Sequence, residues 1–243
     1  MTKSFFIFLL HLCILFPSTG QNTSYDSTFS NHQFKHFIVP LTLIGGGIAL
    51  NNSDFKAKQT EFHDKNFSGY RTKVDDFIQY APHAAVFGLD WVGVKSKHNF
   101  TDKVGLMVVG GILTVGTVTL LKSTTNQVRP DGSADNSFPS GHTANAFFGA
   151  TILAKEYADK SVWYAIGGYS VATATGVLRI LNNRHWTSDV LVGAGIGIIS
   201  GELAYSIYPW LKDKLGIRNK KNIAFVPVYD GISMRANVVI GFN

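Results

Sequence analysis

VGLMVVGGILTVGTVTLL, Val104 to Leu121, is a run without a single charge, and it ends on Lys122. A helix over those residues would extend about 27 Å, close to the roughly 30 Å apolar core of a bilayer. Five further apolar stretches lie around it: Phe37–Leu50, Gln79–Val94, Thr143–Tyr157, Val162–Leu181 and Asp189–Trp210. Their lengths, and their share of Gly, Ala, Ser and Thr, predict closely packed helices. The expected fold is all-α, a membrane-associated helical bundle of about six helices. Polar connectors separate the runs, the longest being Asn51 to Asp76.

The chain has 243 residues, which is one domain by length and enough to enclose a core. Hydrophobic residues make up 45% and charged residues 16%, and the mean hydropathy is +0.10. That is apolar for a soluble protein and modest for one made wholly of membrane spans. The net charge of +6 fits an anionic lipid or a phosphorylated substrate. Nucleic acid is excluded as a partner, because no dense Lys/Arg block with interleaved aromatics occurs.

Residues 1–20 read as a signal peptide: Lys3, an apolar run from Phe5 to Phe16, Pro17, then Ser18-Thr19-Gly20 for cleavage. A helix over that run reaches only about 18 Å, short of a bilayer core. Cys13, the single cysteine, lies inside it, so the mature chain has neither a disulfide nor a thiolate nucleophile. Residues 21–36 form a polar leader, expected to be loosely packed. The helical domain is 37–221. In the tail, 222–243, Val-, Ile- and Phe-rich segments flank Asp230-Gly231, which predicts a C-terminal β-hairpin with a type I′ turn.

Only Val104–Leu121 and Asp189–Trp210 approach the length of a membrane span. Lys95, Lys97 and Lys103 precede the first; Lys212, Lys214, Arg218, Lys220 and Lys221 follow the second. The positive-inside rule turns those ends to the cytoplasm and the opposite ends to the periplasm of a cell envelope. A cleaved signal then leaves a parity conflict unless one of the two early runs fails to cross, or nothing spans and the bundle rests on a membrane face from the periplasm.

Three motifs lie at ends of the apolar runs. His185 and Asp189 are four apart, on one face if helical. A carboxylate holding one imidazole N–H frees the other nitrogen as a nucleophile, with Arg179 upstream as a cation. Pro139-Ser140-Gly141-His142 precedes a helix, with Ser140 as its N-cap and a dipole that favours an anion. His142 is placed to move a proton. Lys122 and Arg129-Pro130 add a point charge and a planar fork for phosphate oxygens. Acidic competition among these cations is expected to be nearly absent.

Taken together, Lys122-(six residues)-Arg129-Pro130, Pro139-Ser140-Gly141-His142 and Arg179-(five residues)-His185-(three residues)-Asp189 resemble the signature of the type 2 phosphatidic acid phosphatase superfamily. That superfamily also includes bacterial acid phosphatases and vanadium haloperoxidases. The resemblance implies His185 as nucleophile through a phosphohistidine, Asp189 as its orienting carboxylate and His142 as general acid and base. It implies Lys122, Arg129, Arg179, Ser140 and Gly141 as the phosphate-binding set. The family has Ser before the third-motif arginine; here it is Leu178, so one hydrogen bond near the phosphate is expected to be missing. No cofactor and no metal is expected, since no His-Glu helical pair or Asp cluster has ligand spacing.

His32 and His36 are four apart without a third ligand and read as solvent-facing. His63, His83 and His98 show no partner, and Trp186 is assigned to the core. The expected function is hydrolysis of a lipid phosphate monoester or pyrophosphate at the envelope: phosphatidate, an isoprenyl pyrophosphate or lipid A. Three alternatives remain: a soluble periplasmic acid phosphatase, a vanadate-dependent haloperoxidase and a non-catalytic lipid-phosphate binder.

Overall fold

The structure, a computed structural model, describes residues 28–216, with side chains from 35, and the backbone of 222–229 and 234–241. The signal segment, Cys13 and residues 21–27 lie outside the described residues. The chain divides into two compact units, Met1–Lys35 and His36–Asn243. Among the described residues there are eight helices: α1 (Thr28–Ala49), α2 (Ser53–Asn66), α3 (Val74–Ile78), α4 (Ala81–Trp91), α5 (Phe100–Thr125), α6 (Gly141–Tyr157), α7 (Val162–Leu181) and α8 (Thr187–Lys214).

All six apolar runs are helical. The two extra helices begin in the segment read as a connector, Asn51 to Asp76. Helix α2 is polar nearly throughout, so it carries no apolar stripe to announce it. Its start is nonetheless capped: Asn52 Oδ1 accepts the Phe55 N–H at 2.9 Å. The leader also departs from expectation, since α1 begins at Thr28 and carries the His32/His36 segment in a helix.

Two strands, β1 (Asn222–Tyr229) and β2 (Met234–Gly241), pair antiparallel, Asn222 with Gly241 through Tyr229 with Met234. The connection between them, where the sequence predicts a type I′ turn at Asp230-Gly231, lies outside the described residues.

Helix α6 is the centre, in contact with α4, α5, α7 and α8. Val86, Phe148, Ile152, Leu153 and Tyr157 form its main apolar cluster. Its approach to α8 depends on glycines four apart, which share one helix face. A Cβ on Gly193 would stand 2.5 Å from the Ser140 carbonyl oxygen, and one on Gly201 2.6 Å from a Thr151 methyl. One on Gly197 would run into the Ala144 carbonyl. Absent side chains let the two backbones touch, which holds Ser140 and His142 against the start of α8.

Helices α5 and α8 run antiparallel. Tyr208 and Lys212 near the end of α8 donate to Asp102 at the start of α5, at 2.8 and 2.6 Å. Gln127, just past the end of α5, donates to Asp189 in the first turn of α8 at 2.7 Å. The bundle therefore has two polar ends separated by about 39 Å of helix.

At the Asp102 end the buried charges are matched. Lys103 is fully buried and bonds Asp90, with the Val86 carbonyl at 2.9 Å. It is a core ion pair, not one of the cytoplasm-facing charges that the positive-inside rule made of it. His98, for which the sequence offered no partner, bonds the buried Glu156 at 2.8 Å, and Tyr205 bonds the same carboxylate. His63 and His83 likewise have partners, the Leu181 and Asn145 carbonyls at 3.2 and 3.0 Å.

Candidate active site

The other end gathers the three motifs. Helix α5 ends at Thr125 with Asn126 in a left-handed conformation, φ 45. This turns the chain back after Lys122 and brings Gln127 and Arg129 over the start of α8. Ser140 caps α6, as expected, with its Oγ 3.5 Å from the Thr143 N–H and 2.9 Å from the Thr143 hydroxyl. Its own N–H donates to the Asp189 carbonyl at 3.0 Å, which ties the second motif to the third. Gly141 is the first residue of α6, so its amide belongs to that helix start.

His185 and Asp189 are both buried, and His185 Nδ1 lies 3.4 Å from Asp189 Oδ2. They are not a pair on one helix face, because α8 begins only at Thr187. Asp189 instead closes the helix start, accepting the Trp186 N–H at 2.9 Å. It also accepts the Ser137 hydroxyl through Oδ2 and the Gln127 amide through Oδ1. Sharing Oδ2 among three donors explains the long His185 contact. A carboxylate held by so many donors is fixed in place.

Burial pushes the His185 imidazole down to about 4; the Asp189 hydrogen bond and charge oppose this, while Arg179 and Lys122 reinforce it. The ring is therefore neutral at ordinary pH, with Nε2 the nitrogen not facing Asp189. Burial and then the Arg179 charge also lower His142, against the pull of Asp76. Arg129 is lowered by burial, then by Arg179 and Arg184. Arg179 is the common neighbour, acting on His185, His142 and Arg129 alike.

Arg129 forks onto Asn136 Oδ1 at 2.9 and 3.2 Å, and Lys122 bonds the Asn136 carbonyl. Both cations thus rest on the same short loop. Arg179 is buried and carries the one buried side-chain donor without a partner among the described residues, its Nε. Such a group calls for a missing oxygen. Leu178, in place of the expected serine, supplies no hydroxyl there.

The expectation of little acidic competition fails. Short α3 places Asp75 2.6 Å from Arg179 Nη1 and Asp76 2.9 Å from His142 Nε2. Asp75 is fully buried and also accepts from Asn182 at 2.9 Å. These carboxylates escaped the sequence reading because they sit some fifty residues or more from the motifs. The available signal was the doublet Asp75-Asp76 itself, opening a helix. Gln59, on the overlooked α2, is another omission: it donates to the His185 carbonyl at 3.2 Å and accepts the Thr187 N–H at 2.9 Å. Trp186 is not core. It is partly exposed, donates to the Val128 carbonyl at 2.9 Å and lies under Lys56, 5.5 Å from Nζ to ring centre.

A cavity of about 500 Å³ opens here, lined by Arg129, Arg179, His142 and Asp76, with Arg71, Lys73 and Arg184 at its rim. Among the described residues no three His, Cys, Asp or Glu side chains cluster to hold a metal ion.

A family model, the PAP2 superfamily, matches residues 103–213, which run from the start of α5 to the end of α8 and contain all three motifs. This segment belongs to the PAP2 superfamily. The chain is 38% identical over 179 residues to the lipid A 1-phosphatase of Porphyromonas gingivalis. That match covers 71% of this chain but only 38% of the relative, so the chain spans well under half of that protein's length. Among solved structures it is similar to Aquifex aeolicus LpxE: 26% identity, TM-score 0.44, covering 60% of this chain and 93% of that one. It is also similar to a transmembrane PAP2-type phosphatidylglycerolphosphate phosphatase of Bacillus subtilis, at 19% identity and TM-score 0.44, covering 78% and 98%. In the PAP2 segment of this chain the polar end and its cavity are the parts suited to an oxyanion.

Proposed function

We propose that the protein is a phosphatase acting on a lipid phosphate, with His185 as nucleophile. The observation that carries this reading is a buried, neutral imidazole oriented by a fully bonded carboxylate, beside a buried arginine whose Nε has no partner among the described residues. His185 Nε2 attacks phosphorus and the bond to the leaving oxygen breaks. His142, protonated, supplies a proton to that oxygen. Water then attacks the phosphohistidine, gives its proton to His142 and releases free phosphate and neutral His185. Lys122, Arg129 and Arg179, with the Ser140–Gly141 helix start, stabilise charge spread over three equatorial oxygens. Asp76 steadies His142 while it carries the proton.

A lipid substrate is supported by the outside of the bundle. Val104, Val108, Ile112 and Val115 expose a stripe along α5, each at least 38% accessible. Their spacing follows one helix face. Helices α5 and α8 are each long and apolar enough to cross a membrane. An apolar stripe beneath a cationic cavity suits a substrate with a buried tail and an anionic head. The kinship with a lipid A 1-phosphatase points to lipid A within that class. Periplasmic placement of the cavity follows the basic residues at the far end, although Lys103 and Lys212 are engaged with Asp90 and Asp102 and count for little there.

Detergent-solubilised protein supplied with phosphatidate, an isoprenyl pyrophosphate and lipid A should release phosphate from at least one, and His185→Ala should release none. Equal release by both proteins would refute the assignment.

A further inference from the structure

The cavity holds more positive charge than a single phosphate engages. Arg129 and Arg179 belong to the set around His185; Arg71, Lys73 and Arg184 do not. Arg184 is already matched, 3.0 Å from Asp131. Arg71 donates to the neighbouring Tyr70 carbonyl at 2.8 Å, and among the described residues no carboxylate pairs with Arg71 or Lys73.

These two cations do not hang from a loose loop. Thr72, between them, exchanges two hydrogen bonds with Asn182, at 2.8 and 3.0 Å. Asn182 is buried, and its amide also reaches Asp75, which grips Arg179. It lies midway between Arg179 and His185 in the chain. The residue that ends α7 therefore pins the Arg71–Lys73 backbone to the rim of the same cavity. Both side chains are exposed and line the same cavity as Arg129, Arg179 and Arg184, a concentration of positive charge that draws an anion.

We propose that Arg71 and Lys73 form a second anion subsite, which takes the second phosphate of a doubly phosphorylated substrate while the first lies at His185. The proposal rests on reading the cavity as a phosphatase site. A cavity of about 500 Å³ has room for more than one phosphate group. The second phosphate is either adjacent to the first, as in a diphosphate, or separated from it on a sugar, as in a doubly phosphorylated lipid A; the recognised chemistry is the same.

The test compares the unmodified protein with Arg71→Gln/Lys73→Gln on phosphatidate, an isoprenyl diphosphate and a doubly phosphorylated lipid A. Loss of charged hydrogen bonds predicts a fall in kcat/KM of roughly tenfold or more on one of the two-phosphate lipids. On phosphatidate the change stays within about twofold, and the lipid affected reports the spacing. Equal losses on all three, or no loss on any, overturn the subsite. Titrating His185→Ala protein with inorganic phosphate, methylenebisphosphonate and a de-acylated doubly phosphorylated lipid A headgroup reads the subsite without turnover. One of the two-phosphate probes should bind roughly tenfold more tightly than phosphate, and the double substitution should erase that margin. A missing margin, or one that survives the substitution, overturns the subsite. An intact, substitution-sensitive margin in a protein that turns over none of the lipids overturns the phosphatase reading and leaves the subsite standing.

Discussion

At the Asp102 end of the bundle Lys103 meets Asp90, His98 meets Glu156 and Lys212 meets Asp102. At the His185 end Arg71 and Lys73 meet no carboxylate among the described residues, and the Nε of Arg179 has no partner. The residue types are the same. The difference lies in pairing, and it separates polar groups that hold the helices together from polar groups that await a ligand. Buried ion pairs become costly when one partner is removed, whereas a buried donor such as the Arg179 Nε is unfavourable until an oxygen arrives.

That contrast predicts a double dissociation. Asp189→Asn should cost most, lowering kcat by about 10³- to 10⁴-fold through the wrong His185 tautomer while leaving the fold intact by circular dichroism. A loss of less than tenfold would show that Asp189 serves the helix start alone. Lys103→Met should act in the opposite sense, destabilising by about 2–3 kcal/mol, toward the low side because Asp90 is one-third exposed. Its kcat per folded molecule should not change, as read by thermal melts alongside phosphate release. Arg129→Ala should reduce kcat/KM about 10²- to 10³-fold with little change in melting temperature. If Lys103→Met silenced catalysis in folded protein, or Arg129→Ala mainly unfolded it, the division between the two ends would be wrong.

Smaller effects sharpen the same comparison. Gly197→Ala drives a methyl into the Ala144 carbonyl and should cost about 1–3 kcal/mol in stability while loosening the link between His142 and His185. Asp76→Asn should lower kcat by about tenfold and shift its pH dependence. The sign follows from the two imidazoles. His185 must be neutral, so activity falls on the acid side as pH approaches about 4. His142 must be protonated, so activity falls on the alkaline side below the ordinary histidine value of 6.5. The Asp76 carboxylate raises His142, and its removal should move the alkaline limb of kcat/KM to lower pH. An unmoved limb would detach Asp76 from the proton step.

The six apolar runs and the three motifs were legible because periodicity and spacing are local properties. Ser140 as a cap and His185 near Asp189 could both be read from a few neighbouring residues. What stayed hidden was carried by long-range contact. Asp75, Asp76 and Gln59 reach the motifs across more than fifty positions, from a one-turn helix and a polar helix too short or too polar to show an apolar stripe. Lys103 read as a surface charge because the sequence does not show that Asp90 folds back onto it. The His185–Asp189 spacing suggested a shared helix face, yet the helix starts between them, and the pair meets because Asp189 caps it.

The most direct measurement is a rapid acid-free quench of the protein during turnover of its best lipid substrate, followed by mass spectrometry of the peptide containing His185. The account predicts a phosphoryl group on His185, stable to base and lost in acid, that appears before free phosphate and is absent from His185→Ala. Steady turnover with no phosphoryl group on that peptide, or the same adduct on a different residue, would contradict it.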